Sequence, residues 1–227
     1  MIAAPPHSPA SGLAPFSIED LRARALARLS LDPAVLERKA SAAERWGDHV
    51  LNPGAFPAAE RDGGSPAAVL APIVARPGGP TVLLTRRAAS LRNHSGQIAF
   101  PGGRIDATDA SPLAAALREA REEIGLDESC IEPLGYLDPY VTGTNFRVFP
   151  VLAIVTPPFE LKLNPHEVDD AFETPLAFLM DAANHRLESR DIAGVERQFY
   201  AMPWGDYYIW GATAGMLRNL YTRLFAP

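Results

Sequence analysis

The stretch Ala116-Leu117-Arg118-Glu119-Ala120-Arg121-Glu122-Glu123-Ile124-Gly125-Leu126 decides how this chain is read. Asp109 or Ser111 can cap a helix that carries Pro112 in its first turn. Leu113, Leu117, Ala120 and Ile124 then recur at core spacing, so the pattern predicts a helix over 112–124 that ends before Gly125. The same spacing gathers Glu119, Glu122 and Glu123 on one side, mainly opposite that apolar face. Like charges three and four residues apart oppose helix formation, and here they lie at the helix end whose dipole disfavours negative charge. A cation should compensate. Mg²⁺ or Mn²⁺ fits, because hard divalent ions take carboxylate ligands and leave coordination places for water and phosphate.

Immediately upstream, Phe100-Pro101-Gly102-Gly103 follows a short apolar run, and two adjacent glycines let a backbone approach a ligand closely and present amides to phosphate. Between Thr85 and Arg104 lie Arg86, Arg87, Arg92, Arg104 and His94 with no acidic residue. Such a patch can hold an anion, since the guanidinium fork donates paired hydrogen bonds to phosphate. Downstream, Asn164-Pro165-His166-Glu167-Val168 reads as a turn followed by a strand. His94, His166 and His185 lack zinc-ligand spacing. Trp204, Tyr207, Tyr208 and Trp210 could stack on a base, although strand aromatics more often pack.

The second half of the opening stretch meets every specified position of the Nudix hydrolase signature, in which Arg-Glu, an apolar residue, any residue, Glu-Glu, any residue, Gly and an apolar residue close the motif. The first half departs from it: eight residues separate Asp109 from Arg118 where the family pattern has seven between Glu and Arg, so the loop is one residue longer. Leu83-Leu84-Thr85-Arg86-Arg87-Ala88, then Arg92, Gly96 and Phe100-Pro101-Gly102-Gly103, resembles the motif of the coenzyme A pyrophosphatase branch of that family. Trp210-Gly211-Ala212-Thr213-Ala214-Gly215 is also similar to the branch. The resemblance implies an α/β/α sandwich around a mixed β-sheet and metal-dependent hydrolysis of the diphosphate of coenzyme A or its derivatives. Under it Glu119, Glu122 and Glu123 hold the metal, Glu167 is a further ligand or general base, and Arg87, Arg92, Gly102 and Gly103 bind substrate. Arg118 would be structural, tying loop to helix. Another nucleoside diphosphate derivative, such as NADH or ADP-ribose, and a non-catalytic nucleotide sensor are the alternatives.

The 227 residues, 47% of them hydrophobic, suffice for one sizeable core. A net charge of −6 argues against a nucleic-acid surface that depends on overall positive charge. A single cysteine, Cys130, permits no intrachain disulfide. No uncharged apolar run is long enough for a membrane span, and the expected location is the cytoplasm. Residues 1–15, rich in Pro, Ala and Ser, should form a mobile tail. Residues 16–62 should form a helical extension, with one helix over about 18–29 and another running from Pro33 toward Trp46. Its apolar residues could serve packing within the chain or a homodimer interface. From residue 63 the hydrolase domain should begin with a hairpin of AAVLAPIVA and TVLLT around Arg76-Pro77-Gly78-Gly79-Pro80. Strands are expected at Gln97–Phe100, Glu132–Leu137, Val148–Val155, Gln198–Met202 and Tyr207–Trp210, and helices near 175–182 and 212–224.

Overall fold

The computed structural model describes residues 13–36, 46–54, 64–91, 94–192 and 194–226, without the side chain of Ile192. Two apolar runs make the spine. Strand β2 (Ser65–Val74) and strand β8 (Phe146–Val155) pair in parallel over ten positions, from Ser65 opposite Phe146 to Val74 opposite Val155. Both read as continuous apolar sequence because both of their faces are covered. On one face Ala67, Ala71 and Ile73 join a core with helix α1 (Ile18–Arg28) and helix α5 (Gly211–Leu224). On the other, Ala68, Leu70 and Val74 join Ala115, Ala116, Ala120 and Ile124 of helix α3 (Pro112–Ile124). Helices on both faces of a mixed sheet make an α/β/α sandwich, as expected.

Among the described residues nine strands belong to this sheet. The expected hairpin forms between β2 and β3 (Thr81–Arg87), but only Ile73–Val82 and Val74–Thr81 pair. Beyond them β3 turns to β4 (Ile98–Ala99) and β9 (Val168–Pro175), while β2 pairs with β5 (Gly102–Arg104). The sheet therefore splays, and the splay leaves room between β2 and β4. Strand β6 (Ile131–Tyr136) and strand β7 (Tyr140–Val141) flank β8. A second sheet of β10 (Arg186–Ile192), β11 (Val195–Trp204) and β12 (Tyr207–Trp210) lies against α5. Strand β10 was not expected: its sequence RLESRDI carries little apolar alternation. Around 175–182 the chain makes only α4 (Leu176–Leu179) and a 3₁₀ turn at Ala182–Asn184 capped by Asp181.

The extension differs in part from its reading. Helix α1 starts where expected, with the Ser17 hydroxyl accepting from the amide of Asp20 and the Asp20 carboxylate accepting from that of Phe16. Residues 34–36 are helical, and the rest of the second helix, 37–45, lies outside the described residues, as do 1–12 of the tail. Trp46, however, is not the end of a helix. Trp46–Gly47 form β1, parallel to β7, followed by the short helix α2 (Asp48–Leu51), so the extension adds a strand to the main sheet. The junction is tight: buried Tyr140 donates its hydroxyl to Asp48 Oδ1 at 2.7 Å, and Gly143 donates its amide to Oδ2 at 2.7 Å. Burial, followed by the neighbouring carboxylate, holds the Tyr140 phenol well above its ordinary value. No helix of the described residues is long and apolar enough to cross a membrane.

Candidate metal and diphosphate site

Helix α3 owes its placement to local chemistry at both ends. At its start the Ser111 hydroxyl accepts from the amide of Ala114 and Pro112 occupies the first turn. Gly125, at φ 68°, provides the left-handed residue that ends it. Helix ends leave carbonyls without partners. Here the amides of Lys162 and Asn164 donate to the carbonyls of Ile124 and Glu123, both at 2.8 Å. That contact brings the following turn beside the helix, where Asn164 Nδ2 donates to Glu167 Oε1 at 3.2 Å and the carbonyl of Glu167 accepts from the amide of Ala88 on the segment after β3.

The result is a cluster. Carboxylate oxygens of Glu119, Glu123 and Glu167 all lie within 4.8 Å of one another. Glu123 is not on a solvent side of the helix as its charge suggests. It is 4% exposed and lies among the alanines that approach the sheet. Its Oε2 accepts from the amide of Gly102 at 3.0 Å, and Arg87 Nη1 stands 4.0 Å from its Oε1. Burial, reinforced by Glu119 and Glu167 and opposed by the Gly102 amide and Arg87, pushes its carboxyl up to about 7. Glu119 is raised too, first by burial, against the pull of Arg118.

Glu122 does not join this group. Its side chain is about half exposed and accepts from Arg118 Nη1 at 3.0 Å, one turn back along the helix, so it lies beside the cluster on the solvent side. Arg118 is the organiser of the loop: it bonds both oxygens of Asp109 at 3.0 and 2.9 Å, the carbonyl of Arg104 at 3.1 Å and Glu119 Oε1 at 2.9 Å. The extra loop residue has thus made Asp109 the anchor of Arg118, and the guanidinium holds that carboxyl below its usual range. Replacing Asp109 by Ala frees the guanidinium that fixes Glu119. Turnover and apparent metal affinity should fall about 10–100-fold, as when a partner of a ligating side chain is removed. Unchanged metal dependence in an activity titration would refute this positioning role.

Gly102 and Gly103 are not a free loop. They form β5 with Ala68 and Val69 of β2, and the amide of Gly102 is already committed to Glu123. Both still line a cavity of about 660 Å³ on the opposite face of the sheet from α3, together with Arg87, Arg104, Phe199 and Trp210. Of the arginines expected to bind substrate, Arg87 therefore touches both the cluster and the cavity, and its buried Nε has no hydrogen-bond partner. Arg92 lies outside the described residues. Arg86 pairs with Asp170 at 3.5 Å. The aromatic set divides: Tyr207 stacks on Phe172, Tyr208 donates to Glu188, Trp204 packs on Phe178, and only Trp210, edge-on to Phe199, faces the cavity. Sequence reading missed the contributions of Asp48, Asn52 and Phe199 to the cavity, since nothing near them in the chain signals a ligand.

Three hard carboxylate donors, two of them held above the usual carboxylate range, form a set short of positive charge, and Mg²⁺ or Mn²⁺ suits their oxygen chemistry. A carboxylate cluster on such a helix, with an arginine at its edge and a cavity beside it, has the chemistry to accept a metal-bound phosphoanhydride. The NUDIX domain profile matches residues 64–193, and the chain belongs to the Nudix family. Nudix hydrolase activity on nucleoside diphosphate derivatives follows from that membership. The Nudix hydrolases NudL of Cronobacter sakazakii and of Escherichia coli, whose names mark them as uncharacterized, are each 42% identical over 154 residues, covering 68% of this chain and 80% of theirs. Among solved structures, the Nudix hydrolase RenU of M. smegmatis aligns at a TM-score of 0.44 and 26% identity over 52% of this chain and 75% of that one. The NUDIX domain of Shewanella oneidensis NrtR, complexed with ADP ribose, aligns at 0.40 and 22% identity over 57% and 82%.

Proposed function

We propose that the protein hydrolyses the diphosphate of coenzyme A or its derivatives to 3′,5′-ADP and 4′-phosphopantetheine, or its acyl form. The observation that carries the reading is the position of Arg87. This arginine of the branch-like motif stands 4.0 Å from Glu123 while lining the adjoining cavity, so one cation faces both the cluster and the space a nucleotide would take. Glu119, Glu123 and Glu167 would hold Mg²⁺ or Mn²⁺, with Glu122 outside them at the solvent side. The ion, when bound, would supply Lewis acidity toward the phosphoryl oxygens and the attacking water. A carboxylate of the cluster takes the proton as a water oxygen attacks phosphorus and the bridging P–O bond breaks. Gly102 and Gly103, lacking side chains, let the diphosphate approach the sheet edge. Arg87 and Arg92 hold the phosphates of the nucleotide end.

The test is a substrate panel with products identified by mass. Coenzyme A should be cleaved with a kcat/KM at least tenfold above that of 3′-dephospho-coenzyme A, because a charge-assisted guanidinium–phosphate contact contributes about 1.5–3 kcal/mol. Equal rates on the two compounds, or faster cleavage of NADH or ADP-ribose, would transfer the assignment to another nucleoside diphosphate derivative.

A further inference from the structure

The cavity has two differently built ends. The end at Arg87, Gly102 and Gly103 adjoins the carboxylates: a methyl group on Gly103 would come within 2.6 Å of the Glu119 carboxyl carbon, so the width of a glycine backbone separates cavity from cluster. A second part of the lining comprises Asp48, Asn52, Gln198, Phe199, Trp210 and Met216, which we take as the distal end. All six lie outside residues 64–193, the part of the chain that carries the family signature. They come instead from the extension, the second sheet and helix α5.

The chemistry of this end is also distinct. Asp48 spends its two oxygens on Tyr140 and Gly143. Asn52 donates to the carbonyls of Asp48 and Gln198 at 2.7 and 2.9 Å and accepts from the amide of Gln198 at 2.7 Å. The Thr142 and Thr144 hydroxyls lie 3.1 Å apart and bond to each other. With these polar groups satisfied and Arg197, which also lines the cavity, engaged elsewhere, the wall offers apolar contact from Phe199, Trp210, Met216, Phe146 and Ile98. A charged group would lose its water there without compensation. An uncharged chain would gain by burial.

We propose that segment 48–52, with the facing residues of β11 and α5, forms a specificity-determining subsite for an uncharged, largely apolar substituent on the diphosphate, and that the extension limits the length of that substituent. The inference rests on the reading of the cluster as a diphosphate site. The Asn52–Gln198 pair pins the extension to the second sheet and fixes how far the cavity runs. The residues that set chain-length preference are then ones the catalytic motif does not contain.

Adenosine diphosphate esters of ethyl and decyl alcohol test this, with affinities measured by calorimetry on the full chain and Ca²⁺ as the divalent ion. The native protein should bind the decyl ester about tenfold or more tightly than the ethyl ester, the scale of discrimination an apolar pocket achieves. Thr144→Trp, which fills the distal end from an exposed loop position, should bring the ratio of the two affinities close to one. Asn52→Ala should lower it several-fold. Because each protein is compared with itself on two ligands, a partly unfolded sample does not change the ratio. Equal affinities in the native protein, or an unaltered ratio in Thr144→Trp, would overturn the proposal. Length-dependent binding without cleavage by Mg²⁺ or Mn²⁺ would leave the subsite standing and count against the hydrolase reading.

Discussion

Glu123→Gln should lose metal-dependent turnover by about 10²–10⁴-fold while folding as well as the native protein. The side chain is 4% exposed and its carboxyl is pushed up to about 7 from 4.5, so its ionised form is a burden on the fold that an amide of the same shape does not carry. The sign follows from the direction of that shift. A carboxyl whose folded value is raised binds its proton more tightly in the native state, so stability is greatest below the ordinary value and falls as pH rises toward 7. In metal-free protein Glu123 should therefore cost about 3 kcal/mol between pH 4.5 and 7.5, with Glu119 adding in the same direction. Chemical denaturation at the two pH values checks it: the native protein should weaken across the interval and Glu123→Gln should weaken much less. Equal slopes would mean that Glu123 is not the buried titrating acid, and turnover retained by Glu123→Gln would remove it from the chemistry.

The two neighbouring glycines should respond in opposite ways to a single added methyl group. Gly102 sits at φ 155°, where its Cβ would meet the carbonyl oxygen of Ala68 at 2.4 Å and the Cα of Val69 at 2.6 Å. Both obstacles are backbone of β2, the central strand, and neither can swing aside. Gly102→Ala should cost about 3 kcal/mol or more, combining overpacking with an unfavourable backbone conformation. At Gly103 the nearest atoms belong to the end of the Glu119 side chain, 2.6 to 2.7 Å away, and a flexible side chain can move. Gly103→Ala should keep most of its stability and lose most of its metal-dependent activity, since the methyl group displaces a carboxylate of the cluster. Urea midpoints and turnover, measured side by side, separate the two outcomes. If Gly103→Ala kept full activity, Glu119 would have no part in holding the ion.

The helix that organises the site was legible because its signals are local. Ser111, Pro112 and Gly125 set its ends through backbone chemistry that needs no distant partner. The burial of Glu123 was not, although part of the signal was there. Ala116 and Ala120 define the stripe that meets the sheet, and Glu123 follows Ala120 by three residues, on that stripe. Reading the face from the larger Leu113 and Leu117, which are only partly buried, rotated the inferred core away from it. Glu167 could be singled out but not placed, because the turn that holds it is fixed by donation to the carbonyls of Glu123 and Ile124, some forty residues earlier. The distal cavity wall was hidden for the same reason: Asn52 meets Gln198 across a separation of 146 residues. Two- and three-residue strands such as β5 and β7 carry too little sequence for any alternation to register.

Helix α1 does more than fill one side of the core. Arg24 and Arg28 donate to the carbonyls of Arg223 and Leu224 at the end of α5, and Phe16 packs on Phe225 with ring centres 5.2 Å apart. The last turn of α5 thus has its orphan acceptors satisfied from a segment about two hundred positions away. Opening either helix exposes the other, so their amide protons should exchange with deuterium as one cooperative unit, with a shared opening free energy. Because α5 also supplies Met216 and Thr213 to the cavity, a lesion confined to α1 would reach the cavity wall through fraying of α5 rather than through any direct touch.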